Sequence, residues 1–362
     1  MTTSHRREPA EDTATPRSTP NTPLGVALVG YGYWGTNLAR NIVAVPDLRL
    51  VGIADAESAQ RARAKAAYPS VEIWDGLDDV LNDEHVEAVV IAAPAALHAA
   101  MATECLRSGR HVLVEKPLAT NRRDAEAVTE LAATAGRVLM VGHTFLYSAP
   151  VRRLQELIRS GELGKVQYVY SQRLSLGRIR RDCNALWNFA PHDVAILSFV
   201  LGEKPIEVSA TSVTVIDPAV PDVFFTSLRY RSGIGAHLHV SWIDPRKTRL
   251  MTVVGDEKMV IYNDVSVDQK LWIVDAGVAR NPDLGGFESL GEFQWRTRAG
   301  DIVIPKIDMT EPLREEMSAF AAACRSGEPP VSDGRHGLEV VTVLEAADRS
   351  AKNRGVPVEI DW

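Results

Sequence analysis

Leu28-Val29-Gly30-Tyr31-Gly32-Tyr33-Trp34-Gly35 is the stretch from which the fold can be read. The run Leu24 to Val29 reads as a buried strand, Gly30 to Gly35 as a tight loop, and Thr36 to Val43 as the opening of a helix. Gly30-x-Gly32-x-x-Gly35 carries little weight alone, but between a strand and a helix it marks a dinucleotide loop. The glycines permit the turn and close backbone approach, Tyr33 and Trp34 belong to the loop, and the helix N-terminus faces the pyrophosphate. A second strand, Leu48 to Ala54, then delivers Asp55, twenty residues past Gly35. An acid there accepts hydrogen bonds from the adenosine ribose and repels a 2′-phosphate, so Asp55 favours NAD over NADP. Its other reading is a helix N-cap or turn residue.

Further out, Val112-Leu113-Val114-Glu115-Lys116-Pro117 is a β-branched run that ends in a charged pair, where proline stops a central strand. Ligands of open parallel sheets sit at the carboxyl ends of strands, so Lys116 projects beside the cofactor. A lysine there can carry a proton to or from a reacting hydroxyl, with its pKa tuned by its surroundings. Taken alone, Glu115-Lys116 is an ordinary solvated pair; the glycine loop upstream gives it meaning. Val86 to Ala92 is another parallel strand, followed by Ala93-Pro94 and a helix opening at Leu97-His98. His98 stands either near the cofactor or simply in a first helical turn. With the strand Val138 to His143, these elements predict a doubly wound parallel sheet, a Rossmann domain over residues 24–145.

The totals bound the rest. At 362 residues the chain is long enough for two domains, and 45% hydrophobic with 24% charged residues is ordinary for a globular protein. A net charge of -7 with no concentrated basic surface argues against nucleic acid as a partner. Cys105, Cys183 and Cys324 lack metal-ligand spacing and pairing, so no metal site is expected and a reduced cytoplasm fits. No apolar segment reaches bilayer-spanning length. Residues 1–23, rich in Thr, Ser and Pro, are expected to be a disordered tail without a signal peptide.

Past His143 the pattern changes. Strands follow one another from Lys165 to Tyr262, with shorter ones expected between Leu271 and Ile304, then helices Pro312 to Cys324 and Gly337 to Lys352. Residues 146–362 therefore read as an α+β substrate and oligomerisation domain with a large, open, mostly antiparallel sheet, its final segments returning toward the first domain. An open sheet of this kind suits a homodimer or homotetramer. Asn188 and His192 lie four apart, on one helix face, with Pro191 expected in the first turn. His192 is a candidate acid, base or orienting group. Asn188 is otherwise an N-cap residue, and His192 an ordinary core or surface histidine.

These residues resemble the Gfo/Idh/MocA family, whose namesakes are glucose–fructose oxidoreductase and inositol 2-dehydrogenase. The carriers are Gly30 to Gly35, Asp55, Ala93-Pro94 with His98, Glu115-Lys116-Pro117, and Ala190-Pro191-His192-Asp193. Arg173-Leu-Ser-Leu-Gly177 and Ser332-Asp333-Gly334 look like the branch found beside sugar-nucleotide and antibiotic-sugar pathways. The resemblance implies that Lys116 is the catalytic lysine, that Glu115 holds cofactor and lysine in place, and that His192 is the catalytic histidine. Asn188 stands where the family commonly has an aspartate; it can orient by hydrogen bonds but cannot take a proton. The implied reaction is hydride transfer between NAD(P) and a secondary alcohol or ketone of a sugar, sugar nucleotide or cyclitol. Tyr147, Arg173, Arg178 and Arg180 could line the substrate side, arginines suiting a phosphate, or lie on the surface. Trp187 packs on cofactor or substrate, or belongs to the core. Two rivals stand beside this reading: a redox-assisted lyase or glycosidase that recycles NAD, and a non-catalytic NAD-binding sugar sensor.

Overall fold

Uninterrupted apolar runs set up the first sheet. Every residue of β1 (Leu24–Val29) is buried, as a strand covered by helices on both faces must be. In the computed structural model, which describes residues 22–177, 179–280 and 295–362, β1 leads to α1 (Gly35–Ala44), β2 (Leu48–Ala54), α2 (Ser58–Ala67), β3 (Glu72–Trp74) and α3 (Leu77–Asn82). Then come β4 (Ala88–Ile91), α4 (His98–Arg107), β5 (His111–Glu115), α5 (Arg122–Ala135) and β6 (Leu139–Gly142). The strand order is β3-β2-β1-β4-β5-β6, every pairing parallel. The order reverses between β1 and β4, which places the glycine loop at the switch point where such sheets bind their ligand. α5 shows how sharply the helices are punctuated: Asn121 accepts from the Asp124 amide at its start, and left-handed Gly136 stops it.

A 3₁₀ turn, Thr144–Tyr147, carries the chain out of the first sheet into α6 (Ala149–Arg159) and β7 (Val166–Leu176). α7 (Ala185–Leu201) follows, then β8 (Pro205–Val213), β9 (Val223–Tyr230), β10 (Gly235–Ser241), β11 (Ile243–Gly255), β12 (Met259–Asn263), β13 (Leu271–Arg280) and β14 (Trp295–Val303). α8 (Pro312–Ser326), α9 (Gly334–Lys352) and β15 (Val358–Glu359) complete the chain. Among the described residues the second sheet has nine strands in the order β14-β13-β12-β11-β7-β10-β9-β8-β15, with β7 and β10 parallel and the other pairs antiparallel. β9 reads buried and exposed in near-strict alternation, one face inward and one outward. β13 and β14 are longer than the short strands expected between Leu271 and Ile304; residues 281–294 between them lie outside the described residues.

The last two helices cross back over the first sheet. α8 packs on α1 and the turn Thr144–Tyr147, while α9 packs on α5, β6 and α7. The tail expected over residues 1–23 falls outside the description as far as residue 21, and so does Arg178. Among the described residues no helix is long and apolar enough to cross a membrane.

Candidate active site

The site forms where the carboxyl ends of β1, β4 and β5 meet the N-terminal half of α7. Gly30 takes φ +96°, and a Cβ there would stand 2.6 Å from the Ala92 carbonyl at the end of β4. A Cβ on Gly35 would stand 2.0 Å from the Gly30 carbonyl, so both positions are closed to any other residue. At Gly32 the same test meets nothing within 4 Å. The loop is thus packed tight beneath and open above, a cradle that fits a diphosphate against its backbone. Asp55 stands at the end of β2 and accepts from the Tyr31 amide of this loop (2.6 Å) and from Glu57 N–H (2.8 Å). It serves as a turn residue whose carboxylate ties the end of β2 to the glycine loop. Tyr33 is exposed, whereas Trp34 turns back and donates its indole N–H to Glu115.

Glu115 ends β5 with its carboxylate buried over Gly142 of β6; a Cβ there would come within 2.9 Å of Oε1. Gly142 carried no signal in the sequence, since its need arises from a neighbouring strand. Burial pushes the Glu115 carboxyl up to about 7, against the opposing pull of Lys116 and Trp34. Glu316 of α8, wholly buried, accepts from Thr144 Oγ1 (3.0 Å). Burial, reinforced by the Glu115 charge, raises its pKa well above the ordinary value.

Lys116 reaches across to the second half, where Nζ donates to the Asn188 carbonyl oxygen (3.2 Å). Burial lowers its pKa, Glu115 pulls the other way, and Arg180 and Arg173 lower it further. His192, one turn beyond Asn188, lies edge-on to Phe145 with ring centroids 4.9 Å apart. Its Nδ1 has no partner among the described residues. Burial and the charges of Lys116 and Arg173 hold His192 well below the usual imidazole range, so its ring is neutral at neutral pH.

Several expected residues have other occupations. His98 is buried with Nδ1 facing the Pro117 carbonyl (2.7 Å) and Nε2 facing that of Ala93 (2.8 Å); it clamps the ends of β4 and β5 and does not reach the loop. Ala93 is half-buried and Pro94 exposed at the same rim. Tyr147 is withdrawn into the core, its hydroxyl 3.0 Å from Ser332 Oγ. Arg173 is spent on Asp193 (2.7 and 3.2 Å) in a buried bidentate pair, with its guanidinium 4.8 Å over the Phe145 ring. It is therefore unavailable to a substrate phosphate. Arg180 stays at the mouth, paired with Asp182. Trp187 packs at the seam of the two apolar cores.

Pro191 is also displaced from its expected place. α7 begins at Ala185, because Asn184 is the cap and accepts from Trp187 N–H (3.1 Å), so Pro191 lies inside the helix. Asn184 and Asn188 are one turn apart and either could cap; the structure uses the earlier one. Proline has no N–H for the Trp187 carbonyl and loosens the helix there, beside the carbonyl that Lys116 engages. Phe145, wedged between Arg173 and His192, was not legible because all its partners are distant in sequence.

A buried lysine beside a glycine cradle at a sheet switch point is an arrangement that suits dinucleotide-dependent chemistry. Residues 24–143 match the oxidoreductase family with an NAD-binding Rossmann fold, and residues 151–261 match the GFO/IDH/MocA C-terminal domain. The chain belongs to the Gfo/Idh/MocA family of oxidoreductases. It is 29% identical over 201 residues to 2,7-anhydro-N-acetylneuraminate hydratase of Mediterraneibacter gnavus, 53% of each chain, so it spans about half the length of that relative. It is 25% identical to inositol 2-dehydrogenase of Rhizobium meliloti over 90% of this chain and 96% of that one. Among solved structures, GenD2 from gentamicin A biosynthesis in complex with NAD superposes with TM-score 0.77 at 25% identity, covering 96% of this chain and all of the other.

Proposed function

We propose that this protein transfers hydride between NAD and a secondary alcohol or ketone of a sugar, sugar nucleotide or cyclitol. The observation that carries the reading is Lys116: a buried amine of lowered pKa, held at the end of β5 beside the glycine cradle. When bound, the dinucleotide supplies the hydride acceptor or donor. Gly30, Gly32 and Gly35 hold its diphosphate, and Asp55 favours NAD by presenting a negative charge where a 2′-phosphate would lie. Lys116 takes the hydroxyl proton during oxidation and returns it during reduction. His192, neutral and with Nδ1 unpartnered, fixes the reacting oxygen by a hydrogen bond, and Asn188 presents an uncharged amide where an acid would bias that ring. Arg180, at the mouth, suits an anionic group on the substrate.

The test is purified protein with NAD and a panel of nucleotide sugars, sugar phosphates, free sugars and inositols, read by NADH absorbance and product mass. NADH formation with loss of two hydrogens from one compound supports the reading. Product without NADH would instead indicate a redox-assisted lyase, the reading that similarity to a hydratase favours. Binding of NAD and of a sugar with no chemistry in either direction would leave a sensor.

The free thiols Cys105, Cys183 and Cys324 support a reduced, cytoplasmic setting. The outward face of the second sheet leaves Tyr168, Tyr170, Phe225 and Trp272 exposed, and we assign it to a second copy of the chain. Light scattering of Tyr170→Glu against the parent decides this, since a monomeric parent would rule it out.

A further inference from the structure

Arg249 of β11 stands directly opposite Arg173 of β7 in the second sheet. Both point to the sheet's inner face, because the next pairs along, Met251 with Ser171 and Val253 with Val169, are buried. It is the face on which α7 packs, as the Arg173–Asp193 pair shows. Like charges directly opposite each other destabilise a sheet, so each arginine calls for an anion. Arg173 has Asp193, and its guanidinium lies over Phe145, the ring that touches His192. Arg249 therefore stands one strand spacing, about 5 Å, further along the wall of the cleft. Its anion is only partly its own. Nη1 donates to Asp264 Oδ2 (3.2 Å), but Lys270 Nζ lies 3.9 Å from Oδ1, and the Tyr262 hydroxyl donates to that same oxygen (3.2 Å). Two cations share one carboxylate, which leaves one positive charge over. The guanidinium also keeps an unused edge. Arg173, Arg180 and Arg229 each present Nε and Nη2 to a carboxylate as a fork. In Arg249 neither of these nitrogens has a partner among the described residues, and its side chain is 38% exposed, so a ligand can reach that edge.

We propose that Arg249 receives a carboxylate carried by the substrate, so that the cleft selects a sugar acid. The inference rests on the reading of the cleft as the site of a sugar-type substrate, and it narrows that substrate to an acidic class. A carboxylate offers two oxygens in the plane and spacing of the Nε–Nη2 fork, and it brings the single negative charge that the wall lacks. A phosphate monoester brings nearly two charges beside the carboxylate of Asp264 and fits less well. Arg249 determines specificity in this arrangement. It holds the acid while Lys116 and His192 hold the reacting oxygen.

The test is calorimetric titration of the full chain, saturated with NAD, with two sets of probes: glucuronate against glucuronamide and glucose, and UDP-glucuronate against UDP-glucose. Glucuronamide keeps the acid's shape and loses its charge. In at least one set the acid should bind about tenfold to a hundredfold more tightly than its neutral counterpart, the worth of one charge-assisted fork. In Arg249→Met that ratio should fall to about one. Arg249→Lys, which keeps the charge without the fork, should give an intermediate ratio and carries the test if Arg249→Met does not fold; NAD titration of each variant reports folding. No preference for the acid in either set, or a preference untouched by both substitutions, would overturn the proposal. Glucose 6-phosphate bound more tightly than glucuronate would do so as well. NADH is read in the same mixtures. Acid preference without turnover in either direction would remove the hydride-transfer reading and leave the subsite standing, whereas turnover without acid preference would do the reverse.

Discussion

Trp34 donates its indole N–H to the carboxylate of Glu115, so the dinucleotide loop and the strand that carries Lys116 are fastened together by one side-chain bond. Trp34→Phe keeps the ring and removes the donor. We expect a stability loss of about 1–3 kcal/mol, because a buried carboxylate loses its partner, together with weaker NAD binding. Urea unfolding and a fluorescence titration measure the two; unchanged values in both would show that the bond holds nothing.

Glu115 itself makes a pH prediction. Its folded pKa, about 7, lies above its ordinary 4.5, so the native state binds the extra proton between those values. Its contribution is fully present below about 4.5 and is lost as pH rises through about 7, a loss of about 3 kcal/mol. The stability difference between wild type and Glu115→Gln should therefore shift against wild type across that window and level off above it. A pH-independent difference would count against a buried, titrating Glu115.

Lys116→Met should bind NAD and lose activity by a factor of about 10²–10⁴, the usual contribution of a positioned proton-transfer group. Stopped-flow turnover beside NAD titration separates the effects. Full turnover would remove Lys116 from the chemistry.

Asn188→Asp places a carboxylate where Asn188 now presents an amide, close to Lys116 and His192. An opposite charge favours the protonated cation, so the Lys116 pKa should rise from its lowered position. The acid limb of the oxidation rate should move to higher pH with it. A shift to lower pH, or none, would contradict Lys116 as the group behind that limb.

Asp193→Asn leaves Arg173 charged and buried without its partner. The expected destabilisation is about 3–5 kcal/mol, read by urea unfolding. A change in substrate KM with no stability loss would return Arg173 to the substrate side.

The first sheet was legible because its signals are local. A glycine loop, an acid a fixed distance on and a β-branched run ending in Lys116 each fit within a few residues of sequence. The second half shows what such reading cannot reach. Arg173 looked free because Asp193 is twenty residues away. Tyr147 looked like a cleft residue because Ser332 is 185 residues away. The start of α7 was misjudged because Asn184 and Asn188 both qualify as caps, and packing chooses between them. Phe145, Gly142 and Glu316 left no mark at all, since each takes its meaning from a partner on another element.

The bond from Lys116 Nζ to the Asn188 carbonyl has one more consequence. It ties the first sheet to a helix of the second half through the same nitrogen that serves the reaction. A substrate that claims this nitrogen competes with the tie, so occupancy of the cleft and the grip between the two halves are mechanically opposed. One contact between the two halves and the proposed chemistry then share a single atom.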